Sequence, residues 1–145
     1  MVYELDVGFK ACAADPIGCD RTFLDRTTTP EAKARYVASF DKRIANKTRR
    51  RPNLNPNLDY SVVEAIEFPM SAQQAEVTVC QVDGSSRIYI GDKPEDFGIL
   101  NDDLGGARSV EYVSLQADGR WKFDDGKQIE VFEIGKPKCP SLSGS

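Results

Sequence analysis

Residues 107–123, ARSVEYVSLQADGRWKF, constrain the fold of this chain more than any other stretch. Val110, Tyr112, Val113 and Leu115 put β-branched, aromatic and aliphatic bulk on one arm, and Trp121 and Phe123 put it on the other. Between the arms lies Asp118-Gly119. Glycine accepts the positive φ that a tight hairpin turn demands, so this stretch reads as two antiparallel strands. The rest of the chain must extend that hairpin or cover it.

Upstream, the spacing changes character. Val2, Leu5, Phe9 and Cys12/Ala13 recur as one helical face and predict a helix over 2–14. Asp15-Pro16 stops it, because proline disfavours helical backbone in the residue before it. Asp20 starts a short helical turn through Leu24. Thr29-Pro30-Glu31 is a helix start, with a hydroxyl cap, proline in the first turn and an acid at the positive end of the dipole. This helix, expected over 30–47, carries Ala34, Val37, Phe40 and Ile44 as its apolar face. Arg49-Arg50-Arg51 follow. A basic run suits the negative end of a helix dipole and is read as a solvated helix end, the other reading being a patch for anions or an acidic partner.

From residue 58 the period becomes two. Strands are expected at 60–68, 75–83 and 87–90, then the hairpin, then a last strand through Ile129, Val131, Phe132 and Ile134. Residues 91–106 read as a long loop, in which Asn101-Asp102 forms an Asx-type turn. Residues 136–145 form a Pro- and Ser-rich tail. Helices followed by a meander of strands give an α+β class: one domain over 1–145, with a single curved antiparallel sheet of five or six strands and the helices packed in its concave side.

The chain has four cysteines and no histidine. An even count permits full pairing in any of three connectivities. Cys12 and Cys19 flank the turn-forming ADPIG, Cys80 sits mid-strand, and Cys139 lies in the tail. These positions are read as bridges Cys12–Cys19 and Cys80–Cys139, which implies an oxidising compartment. The other reading is four reduced, buried thiols in a cytosolic protein. With no histidine and no CxxC pair the usual zinc ligand sets are not expected, and no Gly-rich phosphate turn opens a helix, so neither metal nor cofactor is expected. A net charge of −4 argues against nonspecific nucleic-acid binding. No apolar run approaches the length needed to span a bilayer. MVYELDVGFK has no basic n-region or apolar h-region and opens inside an expected helix, so a leader upstream of it is expected.

The order of elements resembles the nuclear transport factor 2-like superfamily, cone-shaped sheets closed at one end by helices. AEVTVCQVD, VEYVSLQADGRWKF and QIEVFEIG carry the likeness. Within the superfamily the chain is most similar to small extracytoplasmic actinobacterial members, through Cys12-x6-Cys19, Asn101-Asp102 and Cys139-Pro140. The resemblance implies fold and a secreted or cell-envelope location. It implies no reaction, because such folds host enzymes, binders and assembly modules alike.

If the fold is a cone, Tyr60, Val62, Ile66, Val77, Val79 and Tyr112 are expected to line or fill it. Strict alternation puts Glu64 on the face of Tyr60, Val62 and Ile66. A carboxylate there would be desolvated and suited to acid–base work. The competing reading pairs Glu64 with Arg108 across the sheet, or leaves it in water. Trp121 is expected in the core. The favoured function is a non-catalytic extracytoplasmic module, monomer or homodimer, binding a small apolar ligand or a partner protein. The alternative is a carboxylate-dependent isomerase, cyclase or hydratase using Glu64.

Overall fold

The computed structural model describes residues 1–141, so the last four residues of the expected tail lie outside the described residues. Three helices come first: α1 (Val2–Ala14), α2 (Phe23–Thr27) and α3 (Pro30–Asn46). Seven strands follow: β1 (Thr48–Arg51), β2 (Asp59–Ser71), β3 (Gln74–Asp83), β4 (Ser86–Tyr89), β5 (Gly98–Asn101), β6 (Gly105–Leu115) and β7 (Trp121–Val131). The class is α+β, with antiparallel curved sheets and N-terminal helices compatible with a cone.

The strands form two sheets rather than the expected one. β2-β3-β6-β7 make a four-stranded antiparallel sheet, and β1-β4-β5 make a three-stranded one. The expected loop at 91–106 supplies β5 and the start of β6. The expected last strand merges with the second hairpin arm to give β7. Arg49–Arg51 belong to β1 and are not a helix end. The helix is closed one residue earlier by Lys47 in the left-handed conformation (φ 54°), whose carbonyl accepts from Ile90 N–H and so ties the chain to the strand pair. The hairpin turn is as expected, with Gly119 at φ 81°.

Thr29 caps α3, its hydroxyl accepting from Ala32 N–H and donating to Asp124 Oδ1 at 2.8 Å. Phe40 is fully buried, in a cluster with Leu5, Cys12, Phe23 and Leu24. Ile44, however, is 37% exposed. The buried face of α3 runs through Ala32, Tyr36 and Phe40 to Arg43, because Tyr36 stacks edge-on against both Phe9 and Phe123. That rotation carries the Arg43 guanidinium inward. A second cluster, Ala75, Val77, Val79 and Val113, packs under Met1, Val2 and Trp121.

Both bridges are present: Cys12–Cys19 with Cα atoms 5.1 Å apart and Cys80–Cys139 with Cα atoms 5.6 Å apart, within the span a disulfide allows. Two disulfides in a chain of this size fit an extracytoplasmic protein. No described helix is long and apolar enough to cross a membrane.

Candidate functional site

Directly paired residues of an antiparallel sheet share a face. In β3, Ala75, Val77, Val79 and Gln81 pair with Val113, Glu111, Ser109 and Ala107 of β6. This set faces the helices. Cys80, paired with Val62 and Arg108, belongs to the opposite face.

The expected cone lining is therefore divided. Val79 lines a chamber under the helices, and Val77 packs in the adjoining core. Tyr60 and Val62 point the other way, where the Tyr60 hydroxyl donates to Pro140 O of the tail at 2.9 Å. Tyr112 shares that away-facing side, opposite Glu76. Ile66 pairs with Val77 but stands 58% exposed, beyond the reach of the helices. Alternation keeps Tyr60, Val62 and Glu64 on one side and fails only beyond them, where β2 carries a bulge. Its register steps from Val63↔Val79 to Ala65↔Thr78, leaving Glu64 as the extra residue and reversing the phase beyond it.

Glu64, on the side of Tyr60 and Val62 as alternation predicts, does not enter the chamber. Its Oε1 accepts from Arg108 Nε at 2.7 Å, and Arg108 also pairs with Glu130 and donates to Lys138 O. This is the pairing that the competing reading of the sequence gives. Because Arg108 keeps its other partners, Glu64→Ala should change unfolding free energy by no more than about 1 kcal/mol in urea titration. A loss of several times that would show a buried role for the carboxylate.

The acid that does face the helices is Glu111. The chamber, about 190 Å³, lies between α1, α3 and the sheet. Val2, Phe9 and Val79 give it apolar walls, while Asp6, Tyr36 and Glu111 bring polar groups. It exists because Ser61 and Ser109, small residues, sit where larger ones would fill it. Glu111 Oε2 is buried with no hydrogen-bond partner. Burial, reinforced by the nearby Asp6 carboxylate, pushes the Glu111 carboxyl up to about 7. Burial and the Glu111 charge likewise raise the Tyr36 hydroxyl to about 12, so it stays protonated. Asp6 is held by Lys10 at 3.1 Å and accepts from Ser61 Oγ at 3.4 Å. One signal for Glu111 was available: it shares parity with Val113 and Ala107, the two buried residues of its strand.

A larger cleft, about 540 Å³, opens between the two sheets. Phe9 and Gln81 line both concavities and separate them. Asn101, expected to shape a turn, does so: its Oδ1 accepts from Asp103 N–H at 2.9 Å, and both residues edge this cleft.

No protein-family model and no curated protein matches the chain. Among solved structures it is similar to the intermembrane space region of the chloroplast protein ARC6. The TM-score is 0.65 at 12% identity, over 89% of this chain and 91% of that one. At that identity the likeness speaks to the fold alone.

Proposed function

We propose that this protein is a nuclear transport factor 2-like, extracytoplasmic and non-catalytic binding module. Its ligand has a small apolar body and one hydrogen-bond donor, and it seats in the chamber under α1 and α3. The observation that carries this reading is Glu111 Oε2, a buried acceptor without a partner in a chamber that Val2, Phe9 and Val79 wall on the apolar side. A buried polar atom left unsatisfied costs free energy that a ligand's donor would recover. The paired cysteines support a secreted or cell-envelope setting. Acid–base chemistry through Glu64 draws no support from the geometry, since that carboxylate is engaged by Arg108 on the other face.

The test is a titration by NMR with benzyl alcohol and with toluene, which differ by the donor. Benzyl alcohol should perturb Val79, Ser109 and Tyr36 signals at several-fold lower concentration than toluene, and Glu111→Leu should erase that difference. Equal responses to the two probes, or none at these residues, would overturn the reading.

A further inference from the structure

The larger cleft holds an arrangement that folding alone does not account for. In the three-stranded sheet Arg50 of β1 lies directly opposite Arg87 of β4, and Arg87 in turn lies opposite Asn101 of β5. Like charges directly opposite on a sheet repel. Arg43, rotated inward on α3, joins them at the same cleft. The three are not equally provided for. Arg50 is buried and paired with Asp59, with Asp83 at 3.9 Å. Arg43 and Arg87 make no ion pair among the described residues. Arg43 lies 5.8 Å over the Phe9 ring, and its Nε is buried without a hydrogen-bond partner. Burial and then the charges of Arg87 and Arg50 all weaken its hold on its proton. Of the cleft's two acids, Asp83 opposes this shift, but as the smallest of the influences on Arg43. The Asp83 carboxylate accepts from Ser85 N–H and Oγ and sits beside Arg50, while Asp103 lies at the exposed rim beside Asn101.

We propose that this cleft is an anion-binding site, in which Arg43 and Arg87 together clamp a carboxylate or phosphate group of a small ligand. Guanidinium forks match both oxyanions, and two of them converging without carboxylate partners form a site awaiting negative charge. Arg50 is the positioning residue: fixed by Asp59 and Asp83, it sets the potential of the cleft floor without being free to engage the ligand. Asn101 and Gln81 add uncharged groups at the walls. The basic run after α3, read from sequence as a solvated helix end, thus contributes to the reading that then stood second. This site is independent of the chamber holding Glu111, and either could fail without the other.

Thermal unfolding with inorganic phosphate and with succinate, against sodium chloride at matched ionic strength, tests it. One or both anions should raise the melting temperature by roughly 5 °C near saturation, since a ligand bound only by the folded state stabilises it. Which of the two acts tells phosphate from carboxylate recognition. Arg43→Gln and Arg87→Gln should each reduce the anion-dependent rise at least about fivefold, as expected for loss of one charge-assisted fork. The melting temperature without anion should stay level or increase, because each change relieves repulsion. Arg87 is exposed, so its variant keeps the test meaningful should Arg43→Gln disturb packing on Phe9. No rise beyond chloride with either anion, or a rise that persists in both variants, would overturn the proposal.

Discussion

Replacing Cys80 and Cys139 together by alanine should lower unfolding free energy by about 4 kcal/mol, the chain-entropy value for a bridge closing a loop of this length. The bridge spans 59 residues and ties the tail across the sheet face that points away from the helices. Local packing adds to the expected loss. Cys80 is fully buried and Val82 is 3% exposed, on the face where the tail carbonyls of Lys138 and Pro140 accept from Arg108 and Tyr60. With the bridge gone, noncovalent contacts such as these and the Lys138–Glu130 ion pair must hold the tail. The melting temperature should fall by roughly 12 °C. Removing Cys12–Cys19, which closes a loop of only seven residues' separation, should cost less, about 2.5 kcal/mol. Urea titration of the two double variants gives the comparison. Equal losses, or a loss below about 1 kcal/mol for the long loop, would show that the tail contributes nothing to the denatured-state constraint.

Glu111→Gln should make the protein more stable at pH 8 and leave it nearly unchanged at pH 4.5. The folded state holds the Glu111 proton up to about pH 7, against 4.5 for the free group. Between those values the unfolded chain binds fewer protons than the folded one, so stability falls as pH rises through that window and levels off above it. The charged groups that face Glu111 act in the same sense or are already neutralised. Asp6 on α1 repels the ionised form, Lys10 is committed to Asp6 and Asp59, and Tyr36 on α3 stays protonated. The full shift corresponds to on the order of 3 kcal/mol. An amide in the same place still needs partners, so the net gain at pH 8 should be about 2 kcal/mol, or roughly 6 °C. Melting temperatures measured from pH 4 to 9 should fall with pH in the native protein and run flatter in the variant. Parallel curves would place the Glu111 carboxyl in water.

The helix starts, the hairpin and both disulfides were legible from residue types and spacing. Each depends on local chemistry: a threonine cap three residues before an amide, a glycine at positive φ, a cysteine pair flanking a turn. The disulfide joining Cys80 to Cys139 is long in sequence, but the even cysteine count left few alternatives. The division into two sheets was not legible. β1 and β5 are four-residue strands, too short to show a period, and β1 consists largely of arginines that local rules assign to a helix end. Their pairing with β4 is a non-local gain that no window of sequence reports.

The candidate site was misread chiefly because alternation tells which side chains of a strand share a face, not which face the helices cover. It also holds only while the register is unbroken, and the bulge at Glu64 reverses the phase for Ile66. On one side of the bulge the prediction of Tyr60 and Val62 as lining was out of phase with the helices. Glu64 itself went to Arg108, and the acid left under the helices was Glu111. The inward turn of Arg43 has a similar origin, since the Tyr36 ring, packed between Phe9 and Phe123, decides which stripe of α3 is buried. The sequence by itself determined the class, the local elements and the covalent frame, because those follow from backbone preferences and thiol count. Only the tertiary structure decided which carboxylate loses water and which arginines crowd together, because desolvation and like-charge proximity depend on what lies across the chamber and the cleft, not along the chain.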